Sequence, residues 1–340
     1  MQKNQSSWLV AALCLCCLLA TACTGGTTQV TQPSTNNNSQ DTANMTATPA
    51  SQSNKNTCAK PSPIKAGTTE NQAVAAHPAA SRGQHTRTYL VHVPAQYSAK
   101  TAVPMVIIFH GHGGTAQEAE QDTGFSQLAD KEQFIAVYPQ GLPDDGQMPM
   151  WASIGPLDYN IDETVFMNDM LDKLTKDFCV DTQRIYATGF SNGGGMSGFV
   201  ACQLSTRIAA VAPISGNYYP LQAGCHPQRA VPMLEIHGSA DPIVPYNGIS
   251  AKVNPQWPLP AVQDWLGEWA KRNGCTKGPE QFFQDKNATG FRWTDCHQNA
   301  TIMHYRMEGE GHTVPAKIGN LPTEQVIWNF FKLHTLAGPK

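Results

Sequence analysis

A serine between two glycines is the first feature of this sequence that could do chemistry. Residues 189–193 read Gly-Phe-Ser-Asn-Gly, between a β-rich run at 184–188 and a stretch of helical composition that begins near Gly194. A strand, a sharp turn and a helix are the context in which this pattern exposes a nucleophilic serine. The sequence therefore predicts that Ser191 is a nucleophile. An ordinary glycine–serine turn is the alternative, because the pattern also occurs by chance.

Two downstream loops contain the base and the acid that a serine nucleophile requires. Asp241 follows an apolar run at 231–236, and His312 follows another run at 302–307. The order Ser, acid, His is the one found when these groups follow the strands of a parallel sheet. We expect His312 to accept the serine proton and Asp241 to orient the imidazole. The alternative role for Asp241 is that of a turn-forming residue before Pro242, and the alternative for His312 is that of a solvated loop histidine. Glu308 and Glu310 are weaker candidates for the acid, because they precede the histidine within its own loop.

A segment rich in histidine and glycine follows an early apolar run. Residues 109–114 read Phe-His-Gly-His-Gly-Gly after the run at 103–108. The turn after an early strand is a position that supplies one of the two backbone donors of an oxyanion hole. We expect the backbone N–H groups of His112 and Asn192 to form that hole, each contributing about 3 kcal/mol to transition-state stabilisation. His110 and His112 also alternate as metal ligands can, but a coherent third ligand is missing. We therefore predict no metal and no cofactor.

The N-terminal region has the composition of an export signal followed by a tether. The apolar run at 8–20 has about 13 residues, whereas a membrane span needs about 20, and it suits the core of a secretory signal. Small residues before Cys23 resemble a lipoprotein processing site, so we expect residues 1–23 to be a signal and lipoprotein segment whose processing leaves Cys23 as the lipidated N-terminus. Ordinary secretory cleavage nearby is the alternative. The polar segment 24–57 predicts a disordered linker, and 58–340 predicts one catalytic domain.

Charge and cysteine content limit the partners and the compartment. The net charge is −3 and charged residues make up 14% of the chain, which argues against a nucleic-acid partner. Membrane association is expected only through a lipid at Cys23. We therefore expect a secreted protein or a cell-surface lipoprotein.

Six cysteines lie beyond the N-terminal segment, at Cys58, Cys179, Cys202, Cys225, Cys275 and Cys296. An even count behind an export signal favours disulfides, although six cysteines allow 15 pairings. We expect the pair Cys275–Cys296 first, because these residues flank a single excursion between a helix and a strand. Buried free thiols are the alternative.

The pattern of apolar runs predicts an α/β fold. Strand-like and helix-like segments alternate from residue 103 to residue 334, which indicates a mostly parallel central sheet with helices on both faces. Residues 86–94 alternate like an antiparallel edge strand, and residues 115–131 have helical composition.

Five motifs occur in a fixed order along the chain, at 110–114, 138–141, 186–194, 237–246 and 309–312. Together they resemble the family that joins secreted feruloyl esterases and polyhydroxybutyrate depolymerases. The segments 246–248, 259–265 and 269–275 look more like the feruloyl esterase branch. The resemblance implies the α/β-hydrolase fold, the triad Ser191, Asp241 and His312, and hydrolysis of hydroxycinnamoyl esters on plant cell-wall polysaccharide. A departure is Val314, where relatives often carry tryptophan.

Substrate choice is less well determined by the sequence. Trp151 lies in an irregular loop, and Trp257 lies between two prolines. Either indole could stack on an aromatic acyl group, although large aromatic residues more often serve packing. Alternative functions are a polyhydroxybutyrate depolymerase, an acetylxylan-type esterase and a non-catalytic carbohydrate-binding surface protein.

Overall fold

The structure of the chain is a computed structural model that describes Cys58, residues 61–154 and residues 160–336. The expected signal segment 1–23, with Cys23, and the expected linker 24–57 lie outside the described residues. The domain boundary at residue 58 therefore stays a prediction. Among the described residues, no helix combines the length and the apolar character that crossing a bilayer requires.

A ten-stranded sheet forms the centre of the described chain. In chain order the strands are β1 (Thr68–Ala75), β2 (Thr86–Val93), β3 (Val103–Phe109), β4 (Ile135–Pro139), β5 (Leu142–Pro143), β6 (Pro149–Met150), β7 (Val180–Phe190), β8 (Ala210–Ile214), β9 (Met233–Gly238), β10 (Lys277–Gln284), β11 (Ala288–Thr294), β12 (Ile302–Met307), β13 (Lys317–Ile318) and β14 (Leu321–Pro322). The large sheet has the order β1-β2-β4-β3-β7-β8-β9-β12-β11-β10, and β5–β6 and β13–β14 form two small sheets.

The middle of the large sheet is parallel and its margins are antiparallel. Strands β4, β3, β7, β8, β9 and β12 run parallel to their neighbours within this group. Strands β1 and β2 extend one margin, and β11 and β10 extend the other, through antiparallel pairs. Every residue of β3, β4, β8 and β9 is buried, as expected of parallel strands that are covered on both faces.

Six α-helices cover the two faces of the sheet. They are α1 (Ala116–Asp122), α2 (Phe125–Glu132), α3 (Glu163–Asp177), α4 (Asn192–Gln203), α5 (Val262–Arg272) and α6 (Thr323–Phe331), with short 3-10 turns at Pro78–Ala80 and His297–Asn299. Helices α1, α2 and α6 pack on one face, together with Val106 and Ile108 of β3. Helices α3, α4 and α5 pack on the other, together with Met105 and Ile107. The alternation of side chains along β3 therefore supplies both layers of the core.

Three regions differ from the sequence expectations. The helix expected over 115–131 is two helices, because Gly124 has a φ of 72° and begins α2 in the left-handed region. Strand β2 is not an edge strand, since β1 pairs with it along eight residues. The excursion between Cys275 and Cys296 is a β-hairpin, β10–β11, that lengthens the sheet.

Three disulfides join the six cysteines beyond the N-terminal segment. They pair Cys58 with Cys179, Cys202 with Cys225, and Cys275 with Cys296. The pair expected first from the sequence, Cys275–Cys296, closes the base of the β10–β11 hairpin. The pair Cys202–Cys225 ties the end of α4 to the loop that follows β8.

Candidate active site

Ser191 lies in a strained turn between β7 and α4. Its φ is 57° and its ψ is −119°, a backbone conformation that residues other than glycine rarely adopt. The Ser191 N–H donates to the Ile214 carbonyl at 2.9 Å, which fixes the turn to the end of β8. Such strain persists only where the surrounding structure enforces it, and it is concentrated at functional sites.

Two glycines make the tight turn possible. A Cβ on Gly193 would lie 2.4 Å from the Phe109 carbonyl oxygen and 2.5 Å from that of His110. A Cβ on Gly189 would lie 2.5 Å from the Gly193 carbonyl oxygen. Because these neighbours are backbone atoms, they cannot move aside as a flexible side chain could. The glycines therefore allow α4 to begin directly against the end of β3.

The three residues expected to act together are hydrogen-bonded in a row. His312 Nε2 lies 2.8 Å from Ser191 Oγ, and His312 Nδ1 lies 2.7 Å from Asp241 Oδ2. Asp241 Oδ1 accepts the backbone N–H groups of Ile243 and Val244, both at 2.8 Å. An ionised carboxylate can only accept hydrogen bonds, so Nδ1 of His312 carries the proton. Nε2 is then free to accept the serine proton.

The other two acidic candidates in the histidine loop have different partners. Glu308 Oε1 pairs with Arg306 Nη2 at 2.8 Å and accepts the Thr289 hydroxyl at 2.7 Å. Glu310 is exposed. Asp241 is thus the carboxylate that contacts the His312 ring.

The expected oxyanion donors lie on the two segments that meet at the serine. Asn192 is the first residue of α4, and N–H groups in the first turn of a helix have no acceptor within that helix. The Asn192 side chain points inward, accepting the Trp151 N–H at 2.7 Å and donating to its carbonyl at 3.1 Å. His112 lies in the turn after β3, and its ring Nε2 is 2.8 Å from Asp144 Oδ2. Both side chains are engaged elsewhere, which leaves the two backbone N–H groups as the available donors.

His110 is a buried support of this turn. Its Nδ1 donates to the Gly111 carbonyl at 2.7 Å, and its Nε2 accepts the Gly141 N–H at 2.9 Å. Burial lowers the pKa of His110 to about 4, so the ring is neutral at neutral pH. Both ring nitrogens are occupied by backbone groups. Among the described residues, no group of three or more His, Cys, Asp or Glu side chains could hold a metal ion.

Trp151 has a packing role that differs from the stacking surface suggested by the sequence. Its side chain is fully buried, and its indole Nε1 donates to the His110 carbonyl at 3.0 Å. Its ring packs edge-on against Phe109 at a centroid distance of 5.1 Å. This burial argues against contact with a bound acyl group. Trp151 instead packs against the end of β3 and the turn that follows it.

Trp257 remains open to solvent. Its side chain is 43% exposed and its ring lies 5.9 Å from that of Tyr219. Tyr219 lines a cavity of about 290 Å³ between α4 and α5. A second cavity of about 630 Å³ lies on the side of α1 and α6 and is lined by Gly111, Phe190 and Val314, among others. Cavities thus lie on both sides of the segment that carries Ser191, and a stacking role for Trp257 stays a prediction.

A family model and several curated proteins match large parts of this chain. Residues 93–254 match the family described as Phospholipase/Carboxylesterase. Feruloyl esterase B of Piromyces equi is 30% identical over 256 residues, covering 74% of this chain and 46% of that protein. Probable feruloyl esterase C of Aspergillus oryzae is 26% identical over 254 residues, covering 72% of this chain and 83% of that protein. The chain spans less than half the length of the first three curated relatives it matches, 34% to 48%.

The solved structure of an acetyl xylan esterase from Aspergillus awamori is similar in fold. It matches with a TM-score of 0.56 and 17% sequence identity, covering 78% of this chain and 99% of that one. The chain is a relative of feruloyl esterases with an α/β-hydrolase fold. The predicted fold class and the predicted resemblance are therefore confirmed.

A buried polar cluster behind Asp241 was not anticipated from the sequence. Glu235 and His237 on β9, and His304 on β12, are fully buried and contact one another. The available signal was the presence of these three polar residues inside otherwise apolar strands, because buried ionisable groups are rare unless they are paired. Their partners could not be read from the sequence, since β9 and β12 are neighbours only in the folded sheet.

We predict that Gly193→Ala impairs Ser191 while Gly267→Ala does not. The added methyl group at residue 193 would displace the backbone of β3 or α4, and a shift of about 1 Å at such a site costs roughly 100-fold in rate. A Cβ at Gly267, in helix α5, meets nothing within 4 Å. The rate of Ser191 labelling by a fluorophosphonate probe measures the difference. Equal labelling rates in the two variants would contradict this account of the turn.

We also predict that His110 makes stability depend on pH. Its pKa is lowered from about 6.5 in the unfolded chain to about 4 in the folded one. Its stabilising contribution is therefore present above pH 6.5 and is lost as pH falls toward 4. Between pH 7 and pH 4, the free energy of unfolding of the wild type should fall by up to about 3 kcal/mol more than that of His110→Gln. Urea unfolding across this range measures the difference, and parallel curves for the two proteins would refute the prediction.

Proposed function

We propose that this chain is a serine carboxylic ester hydrolase that works through an acyl-enzyme. The observation that carries the proposal is the continuous row from Ser191 Oγ through His312 to Asp241. It is supported by the match of residues 93–254 to a family described as Phospholipase/Carboxylesterase. A serine, a base that reaches its hydroxyl, and a third group that orients the base are the arrangement that nucleophilic catalysis requires.

The proposed reaction begins with attack of Ser191 Oγ on the ester carbonyl carbon. His312 Nε2 takes the hydroxyl proton as the new C–O bond forms, and Asp241 stabilises the resulting imidazolium. The backbone N–H groups of His112 and Asn192 donate to the negative oxygen of the tetrahedral intermediate. When the intermediate collapses, the ester C–O bond breaks and His312 returns the proton to the departing alcohol. Water then repeats the sequence on the acyl-enzyme, which releases the acid and restores Ser191.

We infer that the preferred substrate is a hydroxycinnamoyl ester of plant cell-wall polysaccharide. The relatives from Piromyces equi and Aspergillus oryzae are named feruloyl esterase and probable feruloyl esterase. Phe190, which precedes Ser191, and Val314, two residues after His312, line a cavity of about 630 Å³ that does not include Ser191 or His312 in its lining. Its volume is within the usual size range for small-molecule sites. The exposed Val314 adds apolar surface next to the catalytic histidine loop, which suits an aromatic acyl group.

An acetyl ester of xylan is the second candidate. It is favoured by one relative, the bifunctional acetylxylan esterase/xylanase of Neocallimastix patriciarum, which is 28% identical over 253 residues. The same catalytic row would serve both substrates. Which of the two esters is hydrolysed with the higher kcat/KM depends on how much of the acyl group the cavity contacts.

We predict that Ser191→Ala loses roughly five to six orders of magnitude in ester hydrolysis, and that Asp241→Asn loses about 10⁴-fold because it stabilises the wrong tautomer of His312. Glu310→Gln is the matched control, because this exposed carboxylate has no part in the proposed row, and it should retain wild-type activity. The measurement is kcat/KM on methyl ferulate, an acetylated xylan and a short acyl nitrophenyl ester.

The same substrate panel tests the acyl preference. Higher kcat/KM on methyl ferulate than on the acetyl substrate is expected. The reverse ranking would favour the acetyl candidate, and release of hydroxybutyrate from polymer film without ferulate release would favour a polyester depolymerase. Full activity in a correctly folded Ser191→Ala variant would overturn the proposed mechanism.

We further propose export of the chain and attachment of a lipid at Cys23. The apolar run at 8–20 and the small residues before Cys23 support this proposal. We predict that Cys23→Ala abolishes incorporation of a labelled fatty acid in the expressing cell while leaving hydrolytic activity unchanged. Secreted, unlabelled wild-type protein would contradict lipidation but not export.

A further inference from the structure

A buried polar cluster lies directly behind Asp241. Glu235 and His237 alternate along β9, and His304 of β12 is the register partner of Glu235 in the parallel pair. Glu235 Oε1 lies 2.9 Å from His237 Nδ1, and Glu235 Oε2 lies 2.6 Å from His304 Nδ1. All three side chains are fully buried. On the other side of the ring, His237 Nε2 lies 3.5 Å from Asp241 Oδ2.

Hydrogen-bond partners determine the protons at the outer end of this cluster. Gln263 Nε2 donates to the Tyr246 hydroxyl oxygen at 2.7 Å, and that oxygen lies 2.8 Å from His304 Nε2. The Tyr246 O–H therefore donates to His304 Nε2. His304 Nδ1 faces only oxygen atoms of Glu235, so it carries a proton and donates it.

The same reasoning places two protons on His237. Its Nε2 lies 2.9 Å from the Val244 carbonyl oxygen, which has no proton to give, so Nε2 must donate. Its Nδ1 faces Glu235 Oε1, which already accepts the Tyr218 hydroxyl at 2.9 Å. Glu235 Oε1 thus accepts the Tyr218 hydroxyl, while Oε2 lies 2.6 Å from the protonated His304 Nδ1, and both contacts favour the carboxylate form of Glu235. Nδ1 of His237 donates to that carboxylate, which makes the ring an imidazolium.

We propose that His237 is a positioning residue that carries a positive charge at neutral pH, held by Glu235, immediately behind the catalytic Asp241. This inference rests on the proposed function, because it concerns how the Ser191–His312–Asp241 row is tuned. His237 does not touch substrate in this proposal. It acts on Asp241 and, through Asp241, on His312.

The first effect of this charge is geometric. His237 Nε2–H holds the Val244 carbonyl, while the N–H groups of Val244 and Ile243 hold Asp241 Oδ1. The turn from Asp241 to Val244 is therefore fixed from both sides of its backbone. Asp241 keeps Oδ2 directed at His312 Nδ1 at 2.7 Å.

The second effect is electrostatic. A positive charge near His312 disfavours a second positive charge there, which keeps His312 in its neutral, basic form at lower pH. The negative charge of Glu235 lies on the far side of the His237 ring from Asp241, so it offsets this effect only in part. Other ionisable groups near the cluster are Tyr218 from the loop after β8, Tyr246 from the loop after β9, His304 and Arg306 from β12, and Glu308 beyond it.

The pKa direction of His237 agrees with this assignment. Burial lowers the pKa of His237, but the hydrogen bond and charge of Glu235 outweigh it, so the net direction is upward. Burial raises the pKa of Glu235, but its contacts with the His304 and His237 rings outweigh this effect and bring the pKa to about 2.

The first test observes the protons of His237 directly. In protein labelled with ¹⁵N-histidine, the wild type should show two slowly exchanging N–H protons for His237 at neutral pH, and Glu235→Gln should show one. His237→Gln identifies the resonances by their loss. A single His237 N–H proton in the wild type would overturn the proposal, whatever the enzymatic activity.

The second test measures the effect on His312. The rate of Ser191 labelling by a fluorophosphonate, followed across pH, reports when His312 is available as the base. In Glu235→Gln the midpoint of this profile should rise by about one pH unit, because His237 loses its charge while the shape of the cluster is kept. Tyr218→Phe is the matched control. It removes another hydrogen bond to Glu235 without removing the charge pair, so its midpoint should equal that of the wild type.

The outcomes separate this inference from the proposed function. A midpoint that rises in Glu235→Gln but not in Tyr218→Phe supports the charged His237. Normal labelling with an unchanged midpoint in Glu235→Gln, or an equal shift in Tyr218→Phe, overturns it while leaving the hydrolase proposal intact. Absence of Ser191 labelling in the wild type contradicts the proposed function instead, and the ¹⁵N measurement then still decides the state of His237.

Discussion

The close backbone approach between α4 and the end of β3 is the constraint on which the site depends. Gly193 leaves room for the carbonyl groups of Phe109 and His110 at distances that no side chain would permit. The proposed nucleophile on one segment and the proposed His112 donor on the other can then face the same point in space. The strained φ of Ser191 is enforced by this contact and by the hydrogen bond to Ile214. Asp241 and His312 arrive at the same edge because β9 and β12 run parallel to β7 within the same sheet.

The parts of the site that could be predicted from sequence are those at which the chemistry is local. Each of the three proposed catalytic residues has a local signal: the serine lies between glycines after a strand, and the aspartate and the histidine each follow a strand-like run. Parallel strands then bring their carboxyl ends to one edge of the sheet. The parallel centre could be predicted from its buried strands, since β3 and β8 are apolar throughout. The break between α1 and α2 could not be predicted from the sequence, because helical composition over 115–131 does not reveal that Gly124 adopts a left-handed conformation.

The parts that could not be predicted depend on neighbours distant in sequence. Strand β10 is exposed at most of its residues, so it lacks the apolar alternation by which strands are recognised. The burial of Trp151 is decided by the His110 carbonyl and the Asn192 side chain, which only the folded chain brings to it. The contact between Glu235 and His304 likewise requires the pairing of β9 with β12. In each case the residue type was visible, but the partner that determines its role was not.

Three histidines near the site have different partners. His110 has one carbonyl and one N–H as hydrogen-bond partners, and burial lowers its pKa, so it stays neutral and serves as a rigid support. His237 has a carbonyl on one nitrogen and a carboxylate on the other, which favours the doubly protonated ring. His312 has a carboxylate on one nitrogen and a hydroxyl on the other. A hydroxyl can give or accept a proton, so His312 alone among the three has a partner with which its proton can be exchanged during the reaction. In the proposed mechanism the same side chain thus provides a support, a positive charge and a base, and the acceptor or donor opposite each ring nitrogen decides which.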